Sequence, residues 1–527
     1  MNKTCILRYG YLLAIAALLA GLPLSKFLTS IGEFLLAAVW IVDVILNKDL
    51  AQRLKSLFKN KAALTLLSLY LLHVIGLLWT KNFDYGFHDL RIKAPLFIFP
   101  VIFATIPPLS SKEIKAMLHI YLLSNLLGVC FALYYLFFRE MGDIRQIVWF
   151  NSHIRFGLNI VTAIMASMWL MKSFPLKKKT PYIILILIFG LFLIRLQAMT
   201  ALLILLFIIG FYALKVIFFT KNKRLKYVVI GAILIACSAI FFYVYNIYKD
   251  TAVPKESKEL IVLDKTTSRG NPYQHNTSSG RLENGYWVEI YISEPEMKEA
   301  WETRSELSFD GQDLKGHELK ATLIRYLTGK GVRKDAEGIA ALSDQDIRNI
   351  ENGIANHYYA EHSSVKNRIR VIVWEFHVWQ CCNQIAYSSV VQRFELWRAA
   401  WYTIKNNFLF GVGTGDVGDA QRFAYTAVES TLPQNMQVFY RVHNQYISMF
   451  SAFGIFGFLW FLFTLVYPGV KTKRFSYFLY ATFFITIAMS MLAEDTLETQ
   501  AGVTFFAFFN CFFLFLYSPD NAASDLE

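Results

Sequence analysis

Long apolar runs are the feature that most limits what this chain can fold into. About twelve stretches of roughly 17–25 residues carry few charges, the length an α-helix needs to cross a bilayer core. They lie near 9–25, 28–46, 62–80, 94–107, 117–138, 156–172, 181–196, 199–219, 226–247, 444–467, 476–493 and 500–517. The chain has 527 residues, is 55% hydrophobic and 16% aromatic, and holds 46 Phe, which excludes an ordinary soluble domain. The run near 94–107 is short and carries Pro95, Pro100 and Pro107. An all-α polytopic integral membrane protein of about 12 transmembrane helices is expected. Lys3 and Arg8 precede the first run as in a signal peptide, but the next run follows almost at once, so the first span is read as uncleaved.

A net charge of +13 would suggest a nucleic-acid partner on a soluble fold. Here its placement gives a simpler answer, and no nucleic acid is expected. Lys48, Arg53, Lys55, Lys59 and Lys61 crowd one short loop, and Lys172, Lys177, Lys178 and Lys179 another. Lys221, Lys223, Arg224 and Lys226 fill a third, and Lys471, Lys473 and Arg474 a fourth. These are alternate loops, so the positive-inside rule puts them and both termini in the cytoplasm. Arg155, Arg195, Arg393, His443 and the acids Glu494, Asp495 and Glu498 then all fall on the outer side.

Four regions are expected. Residues 1–247 form an N-terminal membrane domain of about nine helices. Residues 248–442 form a large outward-facing loop between helices 9 and 10, long enough for a domain. Residues 443–518 add about three more spans, and 519–527 form a cytoplasmic tail. Within the loop, Thr251 to Arg281 is rich in Ser, Thr, Asn and Gly and reads as irregular. Glu294-Pro295-Glu296 opens a helix, Ser343 caps another, and His317–Leu327 and Ser364–Trp379 show helical spacing. The stretch 285–380 therefore reads as a helical cap, either a packing insert or a sugar-recognising surface. Val390 to Asn406 makes an amphipathic helix with Phe394, Trp397, Trp401 and Ile404 on one face, suited to the headgroup level.

Several classes lack support. Glu33, Asp43 and His73 are the main ionisable residues inside spans, and they form no chain of acids across the membrane as a proton-coupled transporter needs. No inverted repeat, phosphate-binding Gly-Lys-Ser/Thr loop, zinc-type His-Glu-x-x-His or serine-nucleophile motif is present. The six cysteines show no metal spacing, and adjacent Cys381 and Cys382 are not expected to bond each other. No metal or cofactor is expected.

His443-Asn444, nine residues, then Gly454-Ile455-Phe456-Gly457 opens the tenth span. A histidine there sits at the water–lipid boundary, where its imidazole can hand protons to or from a substrate held in the interface; an interfacial anchor is its bland reading. The two glycines leave a smooth groove for a close helix or lipid chain. Upstream stand Arg393-Phe-Glu-Leu-Trp397-Arg398, then Gly411-Val-Gly413-Thr-Gly415-Asp416. Arg–x3–Trp, a Gly-Val-Gly-x-Gly turn and His-Asn–x9–Gly-x-x-Gly, in that order, resemble the C-terminal signature of the O-antigen ligase and polymerase superfamily. The resemblance covers residues 393–457 directly, and Phe458 departs from the small or β-branched residue usual after the last glycine.

That resemblance implies a metal-independent membrane glycosyltransferase of the bacterial inner membrane, with its site facing the periplasm. It implies transfer of a glycan from undecaprenyl pyrophosphate to lipid A-core; the sister activity, O-antigen polymerase, joins lipid-linked repeat units. A transporter or flippase of the lipid-linked glycan is the alternative of another class. The family also carries a functional arginine in the hairpin occupied here by Arg195, although the register is offset. An enzyme outside the cytoplasm lacks nucleotides and must use an activated donor, so it needs cations for the pyrophosphate and a base for the acceptor hydroxyl. His443 suits the base and Arg393 the pyrophosphate. Arg195, Arg398, Arg155 and Asn444 are candidate substrate contacts, and the amides of Gly411 and Gly413 a candidate phosphate cradle, where a tight helix-stopping turn explains the same glycines.

Overall fold

The computed structural model describes residues 3–138, 144–256, 263–361, 365–383, 385, 390–432 and 441–517. The chain is helical almost throughout, and it is an all-α polytopic membrane protein. Among the described residues, eight helices are long and apolar enough to cross a membrane, including Lys3–Leu24, Lys61–Trp79, His153–Lys172 and Gln445–Lys471. Three more apolar helices, Thr180–Arg195, Phe478–Ala493 and Gln500–Leu516, are shorter. The expected span near 94–107 gives only the nine-residue helix Pro95–Phe103. Proline is tolerated in its first turn, and Pro107-Pro108 follow where no helix continues.

Two compact units divide the chain: Met1–Tyr212 with Glu395–Glu527, and Ala213–Phe394. The first unit is built around Leu18, Phe99, Tyr121, Phe156, Phe508 and Phe509, all buried. At one end of this bundle two arginines near the N-terminal helices are tied to carboxylates. Arg8 pairs with Glu113 at 2.6 Å and donates to Pro107 O and Pro108 O. Arg53 meets Asp43 at 2.7 Å, and the Tyr11 hydroxyl donates to the same carboxylate at 2.8 Å. The helix Lys61–Ile75 begins at this basic end and finishes at the other, where the candidate residues gather.

The second unit holds the long helix Lys223–Ala252, the helix Val365–Cys382 and a set of short helices between them. Leu234, Ile235, Phe241 and Phe242 on Lys223–Ala252 are exposed, as a lipid-facing helix requires. The short helices Glu294–Glu302, Leu319–Lys330, Ala336–Ala340 and Asp344–Glu351 enclose a separate core of Trp301, Phe309, Leu323, Tyr326, Ile339 and Ile350. Ser343 and Asp346 form a reciprocal capping box at the start of Asp344–Glu351. One small hairpin pairs Leu282–Glu283 with Tyr286–Trp287. The sulfurs of Cys381 and Cys382 are joined, against the expectation for neighbouring residues.

Candidate functional site: a charged cavity at one end of the bundle

The two glycine motifs turn out to serve each other. Gly454 interrupts the helix Gln445–Lys471 with φ 61° and ψ −165°, a conformation only glycine adopts readily. The break exposes main-chain groups, and the Gly411–Gly415 turn satisfies them. Val412 N donates to Ser451 O at 3.0 Å, Gly413 N to Ala452 O at 2.8 Å, and Ile455 N to Phe408 O at 2.8 Å. The contact is backbone on backbone: a Cβ on Gly411 would lie 2.4 Å from Ala452 O, and one on Gly454 2.3 Å from Leu409 C. The amides of Gly411 and Gly413, read as a phosphate cradle, are spent on protein carbonyls, since Gly411 N donates to Asn407 O at 2.9 Å.

This junction sets the start of the same helix. Asn444 is its N-cap, accepting from Tyr446 N and Ile447 N. His443, just before, has φ 53°. Its backbone N–H donates to Asp495 Oδ2 at 2.6 Å, while Asn444 N and the Ser448 hydroxyl donate to Asp495 Oδ1 at 3.2 and 2.6 Å. Three donors on one buried carboxylate fix the His-Asn pair in place. The His443 ring is about one-third exposed, with Nδ1 3.7 Å from Glu494 Oε2. Trp397 of the Arg–x3–Trp motif donates to Val442 O at 3.0 Å and so steadies the residue preceding the histidine.

Beside these residues lies a cavity of about 330 Å³, lined wholly by the first unit. Met449, Ala452 and Phe453 give it an apolar side, and His73 packs edge-on against Phe453 with ring centres 4.9 Å apart. Lys93 sits on the polar side, buried, with Nζ 2.5 Å from Asp89 Oδ1 and 2.8 Å from Glu498 Oε2. Glu498 Oε1 also accepts from Gln445 at 3.0 Å. Burial alone would lower the Lys93 ammonium, but the two carboxylates outweigh it and hold it above its usual value. Burial would raise Glu498, yet Lys93 holds it down, to about 2. Asp89 goes the other way, raised by burial and by the nearby Glu498 charge. Burial also raises Asp495, against the pull of the Ser448 hydroxyl. Arg441 and Arg422 complete the lining; Arg441 is exposed, and Arg422 lies 3.6 Å from Asp419.

The structure brings some of the expected residues together and leaves others apart. Asp495 and Glu498 line the cavity, and His443 and Asn444 are bound to Asp495. Arg155 lies behind the same loop, donating to Thr496 Oγ1 at 3.3 Å and Asp495 O at 3.2 Å, so its guanidinium supports the acids rather than lining the cavity. Arg398 pairs with Glu395 at 2.7 Å. Arg195 is exposed at the end of Thr180–Arg195, outside the lining. Arg393, half-buried on the helix Val391–Asn406, belongs to the second unit. Sequence reasoning missed Asp89, Arg422 and Arg441 altogether. Two signals were present: Asp89 and Lys93 stand four apart on one helix face, and Arg441 stands two residues before His443. Among the described residues, no three His, Cys, Asp or Glu side chains are placed to hold a metal ion.

Fold and cavity together define a polytopic membrane protein with an amphiphilic, charge-lined cavity at the end of its bundle opposite the basic loops. Residues 342–462 match the family model described as O-antigen ligase, whose members are glycosyltransferase-like enzymes, and the match supports the O-antigen ligase superfamily. It covers less than a quarter of the chain and contains both glycine motifs, Arg441 and His443. No curated protein matches the chain.

Proposed function

We propose that this chain is an O-antigen ligase, transferring a glycan from undecaprenyl pyrophosphate to lipid A-core at the periplasmic face of the inner membrane. The observation that carries the reading is the cavity itself. Apolar Met449, Ala452 and Phe453 face the exposed Arg441 and the Arg422 guanidinium, and His443 is tethered to Asp495 of the same wall. A lipid-linked pyrophosphate has that same division between an apolar chain and a dianionic head. Arg441 and Arg422 hold the leaving group as its charge grows. His443 takes the acceptor hydroxyl proton at Nε2, and the Glu494 carboxylate 3.7 Å from Nδ1 favours the imidazolium that forms. No metal enters this scheme, because arginines supply the positive charge.

Lipopolysaccharide banding in a deletion strain tests the reading. Loss of the whole ladder with accumulated lipid-linked polymer is expected for a ligase. A band carrying a single repeat unit points to the polymerase instead. Lipid-linked glycan confined to the cytoplasmic leaflet, with bond formation intact in broken membranes, points to a transporter.

A further inference from the structure

The second unit contains a polar groove of about 370 Å³ that the transfer chemistry does not use. Arg281, Val288 and Glu289, which flank the hairpin Leu282–Glu283/Tyr286–Trp287, form one wall; the hairpin turns through Asn284 and Gly285 at φ 51° and 80°, the left-handed pair a tight hairpin needs. That turn sets Arg281 opposite Val288, whose N–H donates to Arg281 O at 3.0 Å. The facing wall is the helix Leu319–Lys330, which presents Ala321 and Ile324 three residues apart on one side. Val288 and Ile324 make an apolar floor, with Gln274 and Glu318 exposed on the rim.

Arg281 stands out among the charges here. Arg325 is already satisfied: it donates to Glu283 at 2.9 and 3.4 Å and lies 4.0 Å from the Trp374 ring centre. Glu289 accepts from Asn276 at 2.7 Å. The Arg281 side chain, by contrast, is half-buried on the groove, and its enclosed Nε finds no acceptor among the described residues. A guanidinium in that position calls for an oxygen from a ligand, and an anionic one best. An apolar floor with amide and carboxylate groups on its rim matches the C–H face and hydroxyls of a pyranose.

We propose that this groove binds a sugar residue bearing a carboxylate, of the uronic acid type, with the carboxylate on Arg281 and the ring over Val288 and Ile324. Choosing a sugar over another carboxylate rests on the transferase reading, and the inference adds a chemical class for the glycan. Its test reads binding, not transfer. Purified full-length protein in detergent is titrated with tri-galacturonate, with maltotriose as the neutral sugar and inorganic phosphate as competitor. Tri-galacturonate is expected to bind and maltotriose is not. Arg281→Gln should weaken binding about 10- to 100-fold, and Arg281→Lys less. Ala321→Trp, which fills the floor, should abolish it while leaving Arg281 in place. Equal affinity in wild type and Arg281→Gln overturns the proposal, as does maltotriose binding as well as tri-galacturonate, or phosphate displacing the sugar at equal concentration. If Arg281→Gln disturbs the fold, the exposed Glu318→Ala must still weaken binding, and unchanged affinity there overturns the proposal too. Normal transfer without sugar binding defeats this inference alone; sugar binding without transfer in any assay defeats the ligase reading alone.

Discussion

Among the described residues each compact unit buries one lysine, and the two are treated in opposite ways. Lys93 in the membrane unit is 1% exposed and clamped between Asp89 and Glu498. Lys334 in the other unit is 3% exposed, but its Nζ donates to the backbone carbonyls of Trp287 and Ile290 at 3.2 and 2.9 Å. Carboxylates keep the first ammonium charged. Carbonyl dipoles and the weaker pull of the nearby Asp335 do not hold the second, and burial pushes it down to about 7. A buried charge in direct contact with carboxylates is a fixed feature of a site; one held by carbonyls, with no carboxylate bonded to it, is a proton acceptor tied to the stability of its surroundings.

Removing Lys93 should produce the largest effect of any single change. Lys93→Met leaves Asp89 and Glu498 facing each other with no cation, and breaking a buried pair from one side costs about 3–5 kcal/mol. Loss of glycan transfer and a lowered melting temperature in detergent are both expected. Rescue by adding Asp89→Asn and Glu498→Gln would show that the cation balances the acids; a neutral single variant would break the comparison. His443→Ala comes next, with transfer reduced about 10²- to 10⁴-fold and lipid-linked donor still bound. Near-normal transfer would make the histidine a membrane-interface anchor only.

How far these residues could be read from the sequence depends on the range of the interactions involved. Helices were legible because an apolar run and a cap are local: Ser343 before Asp344–Glu351 acts as the cap it was read to be, whereas Asn444, read as a substrate contact, caps the tenth span. The proline-bounded run at 94–107 yielded less helix than its hydrophobicity suggested, because prolines limited the helix to Pro95–Phe103. His443 and the acids at 494–498 were visible as motifs, yet the Lys93–Glu498 pair joins residues 405 apart, which no periodicity reveals. The glycines were recognised as special for the wrong partner. Their amides and bare backbones fit each other across the break at Gly454, a contact between segments about 40 residues apart. Arg195 drew attention from a family pattern, but the cavity is lined by other cations.

A smaller effect is expected from the glycine junction, which separates strain from charge in the membrane unit. Gly454→Ala must place a side chain in a glycine-only backbone conformation, costing about 1–3 kcal/mol. The added Cβ would also lie 2.3 Å from Leu409 C. A lower melting temperature is the readout. Gly418→Ala is the control, since a Cβ there meets nothing within 4 Å in the helix Val417–Ala427 and should not lower melting. Equal melting of the two variants would show that the break in the helix is not set by Gly454.

The smallest effect belongs to Lys334, and it appears only as a dependence on pH. Its folded value, about 7, lies below the usual 10.5 of a lysine, because burial disfavours the ammonium more than the nearby Asp335 charge favours it. Above the unfolded value both states hold a neutral amine and no penalty exists. As pH falls from 10.5 towards 7, the unfolded chain takes up the proton first, so stability of this unit declines through that window and then levels off. Lys334→Met removes the titration but leaves two carbonyls without a donor, so the variant is not expected to be more stable outright. What should change is the slope. Amide-exchange protection of the helix Leu319–Lys330, taken as a ratio of wild type to Lys334→Met, should rise between pH 7 and pH 9. Intrinsic exchange chemistry is common to both proteins and cancels in the ratio, and other lysines titrate alike in the two. A flat ratio across that range would mean Lys334 stays charged like Lys93, and the contrast between the two buried lysines would fall.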